Sequence, residues 1–226
     1  MPRLLFATAL LASAVLAMLA LIQPPVVPAA LAFVFKPLTT VLILVWAWPR
    51  GGGQPRLAQR LKLGLLFSLA GDVFLLWPES GFLPGLLSFL IAHLLYIAAF
   101  CSQARLAARV WPFVVFGVIA AMVLGRLWPG VPTALQIPVL VYVACLASMA
   151  AQAWVWWRGS LGGADEAGAR WAAWGGTLFV LSDALLAINK FAGPLPLAAV
   201  WVLSSYWAAQ YCIASSLAPA RGSDPA

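Results

Sequence analysis

Charged residues are scarce in this sequence. They make up 8% of its 226 residues, whereas hydrophobic residues make up 64% and the mean hydropathy is +0.99. Soluble domains carry about 25% charged residues, so this chain cannot cover a whole molecule with a water-exposed surface. A soluble globular enzyme and a disordered chain are therefore both excluded. What remains is a helical membrane protein with several spans.

Residues that bind metals or form disulfides are equally few. His93 is the only histidine, which excludes a zinc or iron centre with several histidine ligands. The three cysteines, Cys101, Cys145 and Cys212, show no paired spacing, so a disulfide scaffold and a CxxC metal site are excluded as well. These counts therefore offer no histidine- or cysteine-based metal site.

The sequence does contain long apolar runs, separated by turn residues such as proline and glycine. A helical span needs about 20 apolar residues, and the runs are continuous, which excludes transmembrane strands. The first run exceeds the roughly 7–15 apolar residues of a secretory signal, so we expect it to remain as a helix. The sequence thus predicts an all-α polytopic membrane protein, a single transmembrane domain over 1–226 with eight transmembrane helices. The predicted spans are Leu4–Leu21, Val26–Trp48, Leu61–Trp77, Phe82–Cys101, Val110–Leu127, Pro132–Trp157, Ala169–Phe191 and Leu195–Leu217.

The basic residues indicate how the chain is oriented. Lys and Arg number 13 against 6 Asp and Glu, but they are scattered singly, so we expect no nucleic-acid partner. With eight spans, all of them except Lys36, Arg126 and Lys190 lie on the face that holds both termini. By the positive-inside rule, we expect both termini in the cytoplasm, the protein in the bacterial inner membrane, and 218–226 as a short polar cytoplasmic tail.

The two halves of the chain resemble each other. A shift that places Asp72 on Asp183, which is 111 positions, also aligns the third and seventh spans and places Trp46 on Trp157. This predicts a four-plus-four duplication with repeat halves 1–109 and 110–217. Because four is an even number of spans, the halves would run parallel, related by an axis along the membrane normal.

Ionisable side chains within the predicted spans are the candidate functional residues. Lys36, Asp72 and Asp183 lie at similar depths, joined by His93 and Tyr206. A charge at that depth costs a few kcal/mol if it faces lipid, so these groups should converge inside the bundle. Two desolvated carboxylates can divide acid and base roles between them. The alternative is that Lys36 pairs with an aspartate and only locks the bundle. For His93 taken alone, we expect a packed, hydrogen-bonded side chain.

These polar residues occur within five longer stretches that contain KP, GD, AHxxY and SD in that order. The stretches are KPLTT from Lys36, GLLFSLAGDVFLL from Gly64, GFLPGLLSFLIAHLLYIAAF from Gly81, LFVLSDALLAINKF from Leu178 and SYWAAQYCIASS from Ser205. In them the sequence resembles the YhhN-like lysoplasmalogenase family of integral membrane hydrolases.

The resemblance implies a reaction. Members of the family hydrolyse the vinyl ether bond of lysoplasmalogens to a fatty aldehyde and glycerophosphocholine or glycerophosphoethanolamine. It implies a lysophospholipid substrate, water as the second reactant, membrane lipids as surroundings, and no cofactor. We expect Asp72 and Asp183 to be catalytic, as general acid and charge stabiliser, and Lys36 to hold the lipid phosphate or keep one aspartate ionised. The expected substrate-binding residues are Lys36, His93, Tyr96, Asn189 and Tyr206.

Two other functions fit the same pattern. A small membrane transporter or lipid flippase without hydrolytic activity would also combine a parallel repeat with charges near the midplane. A non-catalytic lipid-binding or scaffold protein would use the buried polar groups only for packing.

Overall fold

The computed structural model describes residues 3–22, 24–77 and 79–219. Over these residues the fold is entirely helical, with eight α-helices and no strand. From residue 220 onwards the predicted cytoplasmic tail lies outside the described residues. The helices are α1 (Arg3–Leu21), α2 (Ala32–Ala47), α3 (Pro55–Phe74), α4 (Phe82–Cys101), α5 (Trp111–Leu127), α6 (Thr133–Gly159), α7 (Glu166–Phe191) and α8 (Ala198–Ser215).

Six of the described helices are long and apolar enough to cross a membrane, namely α1, α2, α4, α5, α6 and α7. The remaining two, α3 and α8, do not meet this requirement of length and hydropathy. Helix α3 begins at Pro55, six positions before the predicted span, and its first turns carry Arg56, Arg60 and Lys62. Helix α8 is diluted by side chains such as Gln210. The predicted helical class is therefore confirmed, and six of the eight predicted spans meet the requirement for a span on their own.

The surface of the bundle is rich in large apolar side chains, and several polar side chains lie in its mostly apolar interior. Large apolar side chains such as Val118 and Met122 of α5 are exposed, whereas Ser68 of α3 and Gln210 of α8 are completely buried. Hydrocarbon is a suitable solvent for such an apolar surface, and polar groups in the interior must then find partners within the bundle.

The helices pack in a pattern that recurs along the chain. The most extensive contacts join α3 to α4 and α7 to α8, and α1 and α5 pack on α2 and α6 respectively. The first four helices, α1–α4, contact the last four, α5–α8, where α2 packs on α8 and α4 packs on α6. Each of these junctions holds one aromatic stack: Trp46 lies 5.8 Å from Tyr211, and Phe100 lies 5.9 Å from Trp156, between ring centroids.

Glycines allow the closest helix approaches. Gly176 of α7 faces Ala150 of α6 so closely that an added Cβ would lie 2.9 Å from the Ala150 Cα atom. The obstacle is backbone, which cannot rotate away. In contrast, Gly117 of α5 has open space where a Cβ would be added. Small residues of this kind let membrane helices pack tightly without a hydrophobic driving force between them.

This difference predicts opposite outcomes for one substitution at two sites. Gly176→Ala should destabilise the protein by about 1–3 kcal/mol, because the new methyl group forces α6 and α7 apart. Gly117→Ala adds the same methyl group without a clash and serves as the control. Thermal melting in detergent measures both, and equal melting temperatures would contradict the packing described here.

Candidate active site

A cavity of about 700 Å³ lies within the bundle and reaches the connection between α7 and α8. This is within the range of roughly 300–1,000 Å³ found for small-molecule sites. Its walls are mostly apolar, with side chains such as Phe89, Leu146 and Val180. The ionisable and other polar side chains that line it are Lys36, Asp72, Tyr142, Ser182, Asp183, Asn189, Lys190 and Tyr206.

Asp72 lies on the wall of this cavity and is the most heavily hydrogen-bonded of the polar residues. Its side chain is 2% exposed, in the last turn of α3. The hydroxyl groups of Thr40 from α2 and Tyr206 from α8 both donate to its Oδ2 atom, at 2.6 and 2.8 Å. Two donated hydrogen bonds favour the ionised form of a carboxyl group over the neutral form. Asp72 is thus built to carry a negative charge.

Lys36 supplies the nearest positive charge to Asp72. Its side chain is 7% exposed, and its Nζ atom donates to the main-chain carbonyl oxygen of Asp72 at 3.2 Å. The lysine therefore links α2 to the end of α3 through the main chain rather than through the carboxylate. It also lines the cavity beside that carboxylate.

A buried hydrogen-bond chain orients Tyr206. Gln210 Nε2 donates to the Tyr206 hydroxyl oxygen at 3.2 Å, and Tyr96 donates to Gln210 Oε1 at 2.9 Å. The Tyr96 hydroxyl also lies 3.4 Å from Ser68 Oγ. Because Gln210 donates to the oxygen of Tyr206, the phenolic proton of Tyr206 is directed at Asp72.

Asp183 has a different environment on the same cavity. It is partly exposed, and its Oδ2 atom accepts one hydrogen bond, from the Tyr142 hydroxyl of α6. Tyr142 was not among the predicted site residues, because none of the five stretches that resemble the family lies in the sixth predicted span. A usable signal was present: Tyr142 is a phenol inside an apolar span, the property that drew attention to Tyr206.

The remaining predicted site residues lie in three different settings. Asn189 lines the cavity, and its Oδ1 atom accepts a hydrogen bond from the main-chain N–H of Leu195 at 2.9 Å, which fixes the α7–α8 connection. His93 and Tyr96 are completely buried and lie behind the cavity wall, not on it. Direct contact between these two residues and a substrate stays a prediction.

His93 is unusual because its ring has no polar partner. Neither ring nitrogen makes a hydrogen bond with the described part of the chain. The ring packs edge-on against Phe179, with 4.6 Å between centroids, and lies 5.3 Å from the ring of Tyr142. The expectation that His93 is packed is met, but the hydrogen bonds expected with it are not formed.

The residues of the described ranges contain no group of three or more His, Cys, Asp and Glu side chains that could hold a metal ion. What the cavity offers is acid–base chemistry. Among the described residues, one carboxylate receives two hydroxyl donors beside a lysine, and the other receives one, in a mostly apolar cavity.

The model of the YhhN family matches residues 31–217. This range includes all the residues that line the cavity except Leu21 and Ile22. The chain belongs to the YhhN family. Together with its apolar helices, this makes the chain an integral membrane protein.

Named relatives cover most of the same region. The lysoplasmalogenase TMEM86A of Homo sapiens is 37% identical over 171 residues, which are 73% of this chain and 67% of the relative. The lysoplasmalogenase TMEM86B of Sus scrofa is 35% identical over 181 residues, 80% of this chain and 72% of the relative. An uncharacterized membrane protein YhhN of Escherichia coli O157:H7 is 35% identical over 97 residues, 42% of this chain and 46% of the relative. No solved structure gives a significant match.

The hydroxyl donors of Asp72 should be measurable as contributions to stability. Tyr206→Phe and Thr40→Val each remove one donor with little change of shape. Each should destabilise the protein by about 1–3 kcal/mol, because a buried polar group then lacks a partner. Tyr211→Phe is the control, since the Tyr211 hydroxyl makes no hydrogen bond with the described residues. If Tyr206→Phe melts in detergent at the same temperature as Tyr211→Phe, the hydrogen bond to Asp72 is not formed.

Proposed function

We propose that this protein is a lysoplasmalogenase. It hydrolyses the vinyl ether bond of 1-alkenyl-glycerophosphocholine or -ethanolamine to a fatty aldehyde and the corresponding glycerophospho-alcohol. The observation that carries the proposal is the pair Asp72 and Asp183, which line one apolar cavity in unequal hydrogen-bond environments. The names of the relatives TMEM86A and TMEM86B support it.

Asp183 is the general acid in this mechanism. With a single phenolic partner, it is the carboxyl group better suited to be neutral before reaction, and Tyr142 fixes its orientation. Its proton moves to the alkene carbon distal to the ether oxygen, and the π electrons form the new C–H bond. An oxygen lone pair then makes the oxocarbenium ion. A correctly placed acid contributes roughly 10²–10⁴-fold to the rate.

Asp72 is the anion that stabilises this oxocarbenium ion. Thr40 and Tyr206 keep its carboxylate ionised, and Lys36 adds a positive charge beside it. A fixed anion in a dry site stabilises a developing cation far more than it would in water. Water then adds to the cationic carbon and returns a proton to Asp183. The hemiacetal collapses, its hydroxyl proton moves to the leaving glycerol oxygen, and aldehyde and alcohol are released.

The other predicted site residues support this reaction. Tyr206 and Asn189 line the cavity and would contact the substrate directly. Tyr96, acting through Gln210, holds Tyr206 in place, and His93 packs behind Tyr142. Neither a metal nor an organic cofactor is needed for any step.

We also propose that all eight helices cross the membrane as one transmembrane domain, with α3 and α8 shielded inside the bundle, and that halves 1–109 and 110–217 form a parallel repeat. Gln54 and Asp165, 111 positions apart, are hydrogen-bonded to each other at 2.9 Å. Equivalent residues meet in this way on a two-fold axis. In each half the Asp-bearing helix also receives a hydroxyl donor from the helix before it, α2 or α6.

We further propose that both termini are cytoplasmic and that the protein lies in a bacterial inner membrane; the even number of proposed spans and the distribution of basic residues support this. Green fluorescent protein fused after the last residue should therefore fluoresce, and alkaline phosphatase fused there should be inactive. Fusions after Gly193, in the α7–α8 connection, should give the reverse result and serve as the control. Active phosphatase at the C-terminus would contradict the orientation.

The carboxylates provide the main test of the proposed reaction. Asp72→Asn and Asp183→Asn should each reduce aldehyde release from a lysoplasmalogen by at least about 10²–10⁴-fold, because an amide neither delivers a proton nor carries the balancing charge. Asp165→Asn is the control, because Asp165 is exposed and lies outside the cavity.

Turnover and melting temperature are measured on the same purified samples. Turnover like that of the wild type in either cavity variant contradicts the catalytic assignment. Lost turnover together with a collapsed melting temperature favours the alternative in which the carboxylates only hold the bundle together. A wild-type protein that releases no aldehyde but moves lysolipid across a vesicle membrane would favour the flippase alternative.

A further inference from the structure

Lys190 is a second lysine on the cavity wall, in a setting unlike that of Lys36. It lies in the last turn of α7 and is exposed, whereas Lys36 is buried and bonded to Asp72. Of the described lysines that line the cavity, Lys190 is therefore the one whose ammonium group remains accessible at the rim.

Aromatic rings hold this ammonium group at the rim. Its Nζ atom lies 4.2 Å from the centre of the Phe82 ring and 5.9 Å from that of Phe191. Such contacts attract a cation to the face of a ring. They leave its three N–H donors without a hydrogen-bond acceptor among the described residues, so the group is positioned but can still bind an anion.

The position of Lys190 along α7 matches the length of the proposed substrate. Asp183 and Lys190 are seven positions apart, which places them on the same face of the helix and about 10 Å apart along its axis. An extended chain advances about 1.2 Å per covalent bond, so the phosphorus of a lysoplasmalogen lies about 8 Å from the carbon that takes the proton. A flexible lysine side chain covers the difference.

We propose that Lys190 binds the phosphate group of the lysophospholipid at the cavity rim, while the vinyl ether lies at Asp183 and the alkenyl chain lies in the apolar part of the cavity. This inference rests on the proposed function, of which it specifies the headgroup subsite. It replaces Lys36 as the expected phosphate ligand, because the Lys36 ammonium group is buried and already bonded to the Asp72 main chain. A lysine ammonium group binds phosphate as a point charge.

Binding of two uncleavable ligands tests the subsite independently of catalysis. The ligands are a 1-alkyl-glycerophosphocholine and the matching 1-alkylglycerol, which lacks the phosphate. Lys190→Gln should weaken binding of the phosphate ligand about tenfold, the loss expected for one charge-assisted contact, and leave the alkylglycerol unchanged. Lys190→Arg should retain most of the affinity. Arg126→Gln is the control, since Arg126 is exposed but does not line the cavity.

The dissociation constants, measured in a non-ionic detergent, decide the outcome. An unchanged affinity of Lys190→Gln for the phosphate ligand overturns the proposal. Equal weakening of both ligands also overturns it, because it shows a role in packing rather than phosphate binding. If the wild type releases no aldehyde, but Lys190→Gln still binds the phosphate ligand tenfold more weakly than the wild type does, the proposed function is contradicted and the phosphate subsite is supported. In turnover, we expect Lys190→Gln to raise KM about tenfold with kcat nearly unchanged.

Discussion

The structure depends on one constraint: a polar or charged group inside a bundle that faces hydrocarbon must find its partners within the bundle. Asp72 satisfies this constraint through Thr40 of α2 and Tyr206 of α8. One carboxylate thereby joins α3 to the preceding helix α2 and to α8, which is distant in sequence. Helices α3 and α8 are also the two that do not meet the requirement for a span on their own, and their polar side chains meet at this point. The interactions that assemble the centre of the bundle therefore also assemble the site.

The two carboxylates differ because their neighbours differ. Asp72 and Asp183 occupy corresponding places in the proposed repeat, and each accepts a hydroxyl from the preceding helix. Asp72 has in addition the phenol of Tyr206 and the charge of Lys36 nearby. In the proposed repeat, equivalent backbone positions thus supply one site suited to a permanent anion and one suited to a neutral acid. A duplicated scaffold gives two carboxyl groups, and substitutions around them can then give each its own chemistry.

Much of this arrangement could be predicted from the sequence, and the failures have physical causes. The free-energy cost of exposing a charge to lipid was enough to predict that Lys36, Asp72 and Asp183 converge, and the three residues do line one cavity. Tyr142 was missed although it is a phenol inside an apolar span. Its hydrogen bond to Asp183 joins α6 to α7, and no periodicity within α6 reveals such a contact. Helix α3 begins six positions before the predicted span, because an apolar run marks the part of a helix that lies in the membrane and not the whole helix. Proline is favourable in the first turn of a helix, and the basic turns that follow Pro55 extend α3 beyond its apolar part.

Because the two carboxylates make different contacts, a substitution at each should affect stability to a different degree. Asp72 holds three helices together, so a substitution there would remove both the proposed charge stabiliser and a structural contact. Asp183 joins only α7 to α6 through Tyr142, and the close packing of Gly176 on Ala150 holds those two helices together independently. Loss of the Asp183 carboxyl group should therefore affect the proposed reaction more than the structure. Of the two residues, Asp183 is the one at which a catalytic role separates most cleanly from a structural one.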